Sequence, residues 1–318
     1  MRRPNLYENA LNAAAMSNPT IPDNTQRLKK VLYTEVDTLI VVFLSIIKER
    51  CMYRLLAIDL DGTLLTPQKF ITPRTQKALF QAAEMGITIV IATGQTFQVL
   101  RQVCAGLHLT APQIIENGAI IADIQHGTVL HEQLLPAEYI LPALDTLRSL
   151  GLYRVYHTFQ CVYVDNNTPR ARNWYRPPLS PPVEIADVAS IYPQPCIKIV
   201  GVGEVETLRE KRRELERIFD GTLYVTQSSP DLVELLHPAV SKGNALRAIA
   251  ADLGIAPAEV VAIGDNHNDI GMLRFAGLGV AMGHAHAEVK AAADYVTLSN
   301  AEEGVAAVIE EVILPSLR

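Results

Sequence analysis

The sequence predicts an α/β fold, a doubly wound parallel sheet interrupted by an inserted α+β unit. Three observations carry this expectation. From Tyr53 onward, short apolar runs alternate with helical segments. That rhythm changes near Gly127 and resumes after Pro238. Two of the apolar runs end in carboxylates beside a glycine, at Asp59-Leu60-Asp61-Gly62 and at Gly264-Asp265. Strand-helix-strand alternation at this spacing implies a parallel sheet with right-handed crossovers.

Taken in order, Leu55–Ile58 reads as a strand. Thr72–Met85 reads as a helix, with Thr72 as N-cap, Pro73 at the first position and Gly86 behind it. Ile87–Ala92 is a continuous apolar run, as a parallel strand buried on both faces requires. Phe97–Leu107 is helical and Gln113–Ile115 is a short strand. In the middle region, strands are expected at Thr128–Leu135, Cys161–Asp165, Cys196–Val202 and Thr222–Gln227. Helices are expected there at Pro136–Leu150 and Glu204–Phe219. Asn166 to Pro195 is rich in Pro and Arg and holds the only tryptophan, Trp174. The first rhythm then returns, with a helix over Lys242–Leu253, a strand over Glu259–Ile263 and a helix over Asp269–Ala276. Strands Leu278–Ala281 and Tyr295–Thr297 and a final helix over Glu302–Ile313 complete it. The expected division is 1–50, then 51–134 joined with 239–318, with 135–238 inserted between them.

The 318 residues are 49% hydrophobic and 19% charged, an ordinary globular composition. The formal net charge of −6 and the lack of a basic stripe argue against a nucleic-acid partner. Cys51, Cys104, Cys161 and Cys196 form no CxxC pair, which fits reduced, buried thiols better than zinc or a disulfide framework. Residues Met1 to Arg27 lack periodicity and read as poorly ordered. The apolar run Leu39–Ile47 is too short to span a membrane and lacks a cleavage site close behind it. It reads as a short helix; alternatively, Met52 is the true start and the residues before it are an upstream extension. A cytoplasmic protein, monomeric or weakly dimeric and free of membranes, is expected.

Asp59 and Asp61 are the most informative pair. Alternate side chains of a strand share a side, so two carboxylates there repel unless a cation separates them or one keeps its proton. A divalent metal, a nucleophile beside a general acid, or both would resolve this. Ile91-Ala92-Thr93-Gly94-Gln95 delivers a hydroxyl and backbone amides suited to phosphate oxygens. Ser241-Lys242-Gly243 places a lysine at a helix start, where anions bind. Gly264-Asp265-Asn266-His267-Asn268-Asp269 offers hard oxygen ligands of the kind Mg²⁺ takes. All lie where strands end, the edge at which open α/β sheets bind ligands.

The ordered set DxDGT, TG, SKG and GDxxND resembles the haloacid dehalogenase-like phosphohydrolases. The Cof-type branch is the nearest likeness, and Glu116-Asn117-Gly118-Ala119 and Ser228-Ser229-Pro230 resemble it too. The resemblance covers roughly residues 52 to 318. It implies a Rossmann-like catalytic core with residues 135–238 as an α+β cap that selects substrate. It implies a Mg²⁺-dependent phosphatase acting on a small phosphorylated metabolite through an aspartyl-phosphate. Asp59 would be the nucleophile and Asp61 the general acid, then base. Asp59, Asp61 through its main-chain carbonyl, and Asp265 would hold the metal, with Asp269 in support. Thr93 and Lys242 would bind the transferring group, with Gly62, Gly94 and Asn268 also on the substrate side. Asn268 would orient Lys242.

Two departures stand out. Gln95 occupies a position where the family often has arginine, leaving open what a substrate anion or loop carboxylate would engage there. His284 and His286 follow Gly283, where relatives usually carry asparagine. They read as exposed loop histidines, with contact to substrate or a soft metal as the alternative. Arg170, Arg172, Trp174, Tyr175 and Arg176 read as a solvated loop or a substrate-binding cluster. His237 and Pro238 mark an expected hinge. A phosphomutase and a non-catalytic phospho-ligand sensor are the competing functions.

Overall fold

The computed structural model describes residues 53–107, 109–165 and 182–317. The N-terminal run Leu39–Ile47, Met52, Cys51 and the Arg170–Arg176 cluster lie outside the described residues. The described strands are β1 (Leu55–Asp59), β2 (Thr88–Ala92), β3 (Gln113–Ile115), β4 (Ile120–Asp123), β5 (Thr128–Glu132), β6 (Tyr153–His157) and β7 (Val162–Asp165). They continue as β8 (Val183–Ile185), β9 (Lys198–Val202), β10 (Tyr224–Ser229), β11 (Leu232–Leu236), β12 (Val260–Gly264), β13 (Leu278–Ala281) and β14 (Tyr295–Val296). They form two sheets, one ordered β14-β13-β12-β1-β2-β3-β4-β5 and one ordered β10-β11-β9-β6-β7-β8. The second sheet is made entirely from chain that falls between β5 and β12.

The first sheet is a Rossmann-like layer. β1 lies at its centre, parallel to both neighbours, with Leu55 opposite Val260 on one side and Thr88 on the other. Leu55 to Ile58 and Val260 to Ile263 are fully buried, which explains their unbroken apolar sequence. The expected helix after β1 spans Pro73–Glu84, and the Thr72 side chain accepts the Thr75 N–H as its cap. β3, β4 and β5 pair antiparallel and close one edge. Thr128–Glu132, which follows the change of rhythm, pairs into the first sheet. The change of rhythm near Gly127 marks antiparallel pairing at that edge, where the strand Thr128–Glu132 is mostly exposed. The final helix begins at Gly304, and its turns loosen over Ile309–Ile313.

Four strands are not legible in the sequence: β4, β6, β8 and β11. β6 and β11 each carry a charged residue among apolar ones, Arg154 and Glu234. Both are buried and partnered. Arg154 donates to both Asp165 carboxylate oxygens at 2.7 and 2.9 Å, in the fork geometry that suits guanidinium.

Period-two alternation gives the second sheet two different faces. Tyr156, Ile199, Val233 and Leu235 pack under the helices Ala137–Ser149 and Val205–Ile218. The opposite face carries Val155, Val200 and Val202, and in the same registers His157, Lys198 and Glu234. Among the described residues, no helix is long and apolar enough to cross a membrane.

Candidate active site

Three parallel strands of the first sheet end side by side. β1 delivers Asp59, paired with Ala92 of β2, so Thr93 follows one residue later. β12 ends at Gly264, immediately before Asp265. The strand does not continue through Asp61. After Asp59 the chain turns, and Gly62 takes φ +86°, a conformation that favours glycine. A Cβ there would stand 2.5 Å from Asp265 Oδ2, so this glycine also admits the carboxylate. Gly264 is needed for the same reason, since a Cβ would meet the Asp269 side chain at 2.5 Å.

Lys242 opens the helix Lys242–Asp252, with Ser241 as its N-cap. Its ammonium is buried and donates to Asp59 Oδ1 at 2.6 Å and to Asp269 Oδ1 at 2.7 Å. Asp269 Oδ2 accepts the Asp265 and Asn266 amides at 3.0 and 2.9 Å. Thr63 donates to Asp265 Oδ1 at 3.1 Å, and His284 Nε2 lies 3.5 Å from Asp265 Oδ2. Asp59, Asp265 and Asp269 bring carboxylate oxygens within 4.8 Å of one another. Burial first, then the charge of Asp269, push the Asp59 carboxyl well above its usual range, against the pull of Lys242. Asp265 is raised by the same two causes in the same order. Burial opposes the charge on Lys242, but the charges of Asp269 and Asp59 outweigh it and raise its pKa.

One lysine thus faces three carboxylates. Asp59 Oδ2 is buried and has no hydrogen-bond partner. Hard oxygens, excess negative charge and an orphaned carboxylate oxygen fit a small divalent cation.

Asp61 stands apart from this cluster. Its carboxylate accepts Lys69 Nζ at 2.6 Å and Gln95 Nε2 at 2.7 Å. Gln95 therefore still engages the loop carboxylate, as a neutral donor. Its own N–H donates to Thr93 Oγ1 at 3.0 Å. His286 lies near His267, with ring centroids 5.6 Å apart, and both are exposed.

A second constellation lies across the cavity, and the sequence does not reveal it as a unit. Lys198 Nζ reaches Glu116 Oε2 at 2.7 Å, Glu234 Oε1 at 2.6 Å and the Gly94 carbonyl at 3.0 Å. His157 Nδ1 lies 3.4 Å from Glu116 Oε1. Asn117 Nδ2 donates to Glu234 Oε2 at 3.0 Å, and Asn268 Nδ2 donates to Asn117 Oδ1 at 2.9 Å. Asn268, expected to orient Lys242, is thus tied to Asn117 instead. Although burial opposes ionisation, Lys198 and His157 hold Glu116 down at about 2. Burial first lowers His157, which favours the neutral ring. The signal for Lys198 and Glu234 is present in the sequence as single charges inside the apolar runs Cys196–Val202 and Leu232–Leu236.

Asp59, Asp61, Thr93, Gly94, Lys242 and Asn268 all line one cavity of about 370 Å³. Lys198, His157 and Glu234 line its opposite wall.

Comparison with known proteins accords with this geometry. Residues 56–309 match the model of the family described as haloacid dehalogenase-like hydrolase. The 5-amino-6-(5-phospho-D-ribitylamino)uracil phosphatase YcsE of Bacillus subtilis is 31% identical over 85% of this chain and 100% of its own. The pyridoxal phosphate phosphatase YbhA of Escherichia coli is 31% identical over 80% of this chain and 96% of its own. The crystal structure of a haloacid dehalogenase-like hydrolase from Bacteroides thetaiotaomicron superposes with a TM-score of 0.72, at 31% identity, over 82% of this chain and 99% of that one. With three strand-end motifs and the helix-start lysine gathered around one cavity and the family model spanning most of its length, this chain belongs to the haloacid dehalogenase-like hydrolases, in the Cof-type branch that holds phosphatases such as YcsE and YbhA.

Proposed function

We propose that this hydrolase is a Mg²⁺-dependent phosphatase that releases phosphate from a small phosphorylated metabolite through an aspartyl-phosphate on Asp59. The observation that carries this reading is the split state of Asp59. One carboxylate oxygen is pinned by Lys242, and the other is buried and unpartnered at a cavity wall.

The Asp59 oxygen attacks phosphorus, and the bond from phosphorus to the ester oxygen breaks. Asp61 acts as the general acid, giving a proton to the departing ester oxygen. Its carboxylate then takes a proton from a water that attacks the phosphoaspartate phosphorus. The bond from Asp59 to phosphorus breaks, inorganic phosphate leaves, and Asp61 is protonated again. Lys69 and Gln95 aim the Asp61 carboxyl into the cavity. Lys242, the Thr93 hydroxyl and the backbone at Gly62 and Gly94 bear on the non-bridging oxygens and stabilise their charge. Asn268 holds that wall through Asn117. Mg²⁺ held by Asp59, Asp265 and the Asp61 carbonyl, with Asp269 supporting through Lys242 and the loop amides, would offset the repulsion between carboxylate and phosphate dianion.

We assign residues 51–134 and 239–318 to the catalytic core and 135–238 to a cap that selects substrate. His237 and Pro238 form one of its hinges. YcsE and YbhA act on a ribitylamino-uracil phosphate and on pyridoxal phosphate, which supports a small phosphorylated metabolite as the substrate class.

Hydrolysis of an aryl phosphate and of a phosphometabolite panel, with Mg²⁺ and with chelator, tests the reading. Magnesium-dependent phosphate release is expected. Its absence on every substrate, with tight ester binding retained, would favour a sensor. Isomerised substrate without free phosphate would favour a mutase.

A further inference from the structure

A second cavity of about 600 Å³ adjoins the catalytic one. Ser229 and Asn266 line both, so the two spaces meet at that boundary. One wall comes from the helix Val205–Ile218, which presents Val205, Arg209 and Arg212 at helical spacing along one side. Its buried residues, Leu208 and Leu215, lie on a different side, against the second sheet. The facing wall is first-sheet chain and includes His267, His286 and Glu288.

The charge of this cavity is unbalanced. Glu288 is the only acid in its lining, and His267 Nε2 already engages it at 2.7 Å. Among the described residues Arg209 has no ion-pair partner. Arg212 Nε is buried and pairs at 3.5 Å, without a hydrogen bond, with Glu216 of its own helix, which is not part of the cavity lining. A guanidinium engaged by one long, half-exposed ion pair has N–H donors left for an anion. Arginine is also the side chain best shaped for two-point binding of phosphate.

We infer that this cavity receives a second phosphate of the substrate while the scissile phosphate lies at Asp59. The inference rests on the phosphatase reading and narrows it to phosphate esters that carry a remote second phosphate. The two arginines are specificity residues that take no part in the bond changes.

Phosphate release from a matched pair tests this: a hexose monophosphate and the hexose bisphosphate with the same scissile group. Wild type is expected to show a KM about tenfold lower for the bisphosphate, the effect of one good charge-assisted contact. The R209A/R212A variant should raise the bisphosphate KM to that of the monophosphate, with kcat and the monophosphate KM moving less than about twofold. The R209K/R212K variant should recover part of the preference. Equal losses on both substrates, or an unchanged bisphosphate KM, would overturn the inference. Sulfate that lowers the monophosphate KM in wild type alone would assign the cavity to a free effector anion and overturn it too. If wild type releases phosphate from neither probe, the phosphatase reading is decided separately by the phosphometabolite panel. Calorimetric titration of the bisphosphate into Asp59→Asn protein, with and without the arginines, then still decides: arginine-dependent affinity sustains the second site, and its absence removes it.

Discussion

The two walls of the catalytic cavity are built on opposite principles. The first-sheet wall takes its chemistry from loops just beyond strand ends, where Asp59, Thr93 and Asp265 leave the sheet side by side. The second-sheet wall takes its charges from inside strands, with Lys198 in β9, Glu234 in β11 and His157 in β6. On the first wall one cation faces three carboxylates, and an oxygen of Asp59 is left without a partner. On the second, Lys198 is matched by two carboxylates and a carbonyl. A cluster with a carboxylate oxygen that no cation reaches is equipped to take up a ligand, and one whose carboxylates both touch the same cation is equipped to hold two parts of the fold together. The difference separates reaction from closure.

Removing the cation of each wall separates these roles. Lys242→Met should lower kcat by at least about a thousandfold, because it removes the charge facing both Asp59 and the transferring group. Steady-state phosphate release measures this. Lys198→Met should instead act on stability. It leaves Glu116 and Glu234 buried without their cation, at a cost of about 3–5 kcal/mol in denaturant unfolding. Should Lys198→Met cost activity and leave stability intact, the assignment of the second wall to closure would fail.

Acid should also act on the second wall. Glu116 is held at about 2, below its ordinary 4.5, so it contributes stability that is complete above 4.5 and is lost as pH falls through about 2. His157 is lowered by burial, so protonation favours the unfolded chain as pH falls below 6.5. Both signs agree: acidification weakens closure. Glu116→Gln should flatten the pH dependence of unfolding free energy between about pH 4.5 and pH 2, by an amount on the order of 3 kcal/mol. An identical slope in the variant would show that Glu116 does not carry it.

The smallest effect concerns Gln95. Gln95→Ala removes one neutral hydrogen bond to Asp61, which Lys69 still holds. A loss in kcat of about fivefold is expected. A loss as large as that of Lys242→Met would make Gln95 part of the chemistry itself.

The same contrast explains what can be read from the sequence. Strand-end motifs are local: Asp59, Asp61 and Gly62 lie within four residues, and Asp265 and Asp269 within five. The central strands are visible because burial on both faces forces unbroken apolar runs. Lys198 and Glu234 stay hidden because each looks like a flaw in an apolar run. Only the register pairing Glu234 with Val200 and His157 with Lys198 puts them on one face. Strand alternation, extended through Asp61, puts it beside Asp59, which is one turn too far. The chain leaves the extended conformation at Leu60, between the two aspartates, which breaks that alternation and hands Asp61 to Lys69 and Gln95. Sequence proximity to Asp269 points Asn268 at Lys242, whereas its partner Asn117 comes from a loop 151 residues earlier.

In the proposed reaction Asp59 takes the phosphoryl group. Rapid acid quenching of a single turnover with radiolabelled substrate, followed by peptide mapping, tests it directly. One acid-stable, base-labile phosphoryl group is expected on the peptide that contains Asp59, formed and lost at rates that match turnover, and none in Asp59→Asn. Label on another residue, or full turnover by Asp59→Asn, would contradict it.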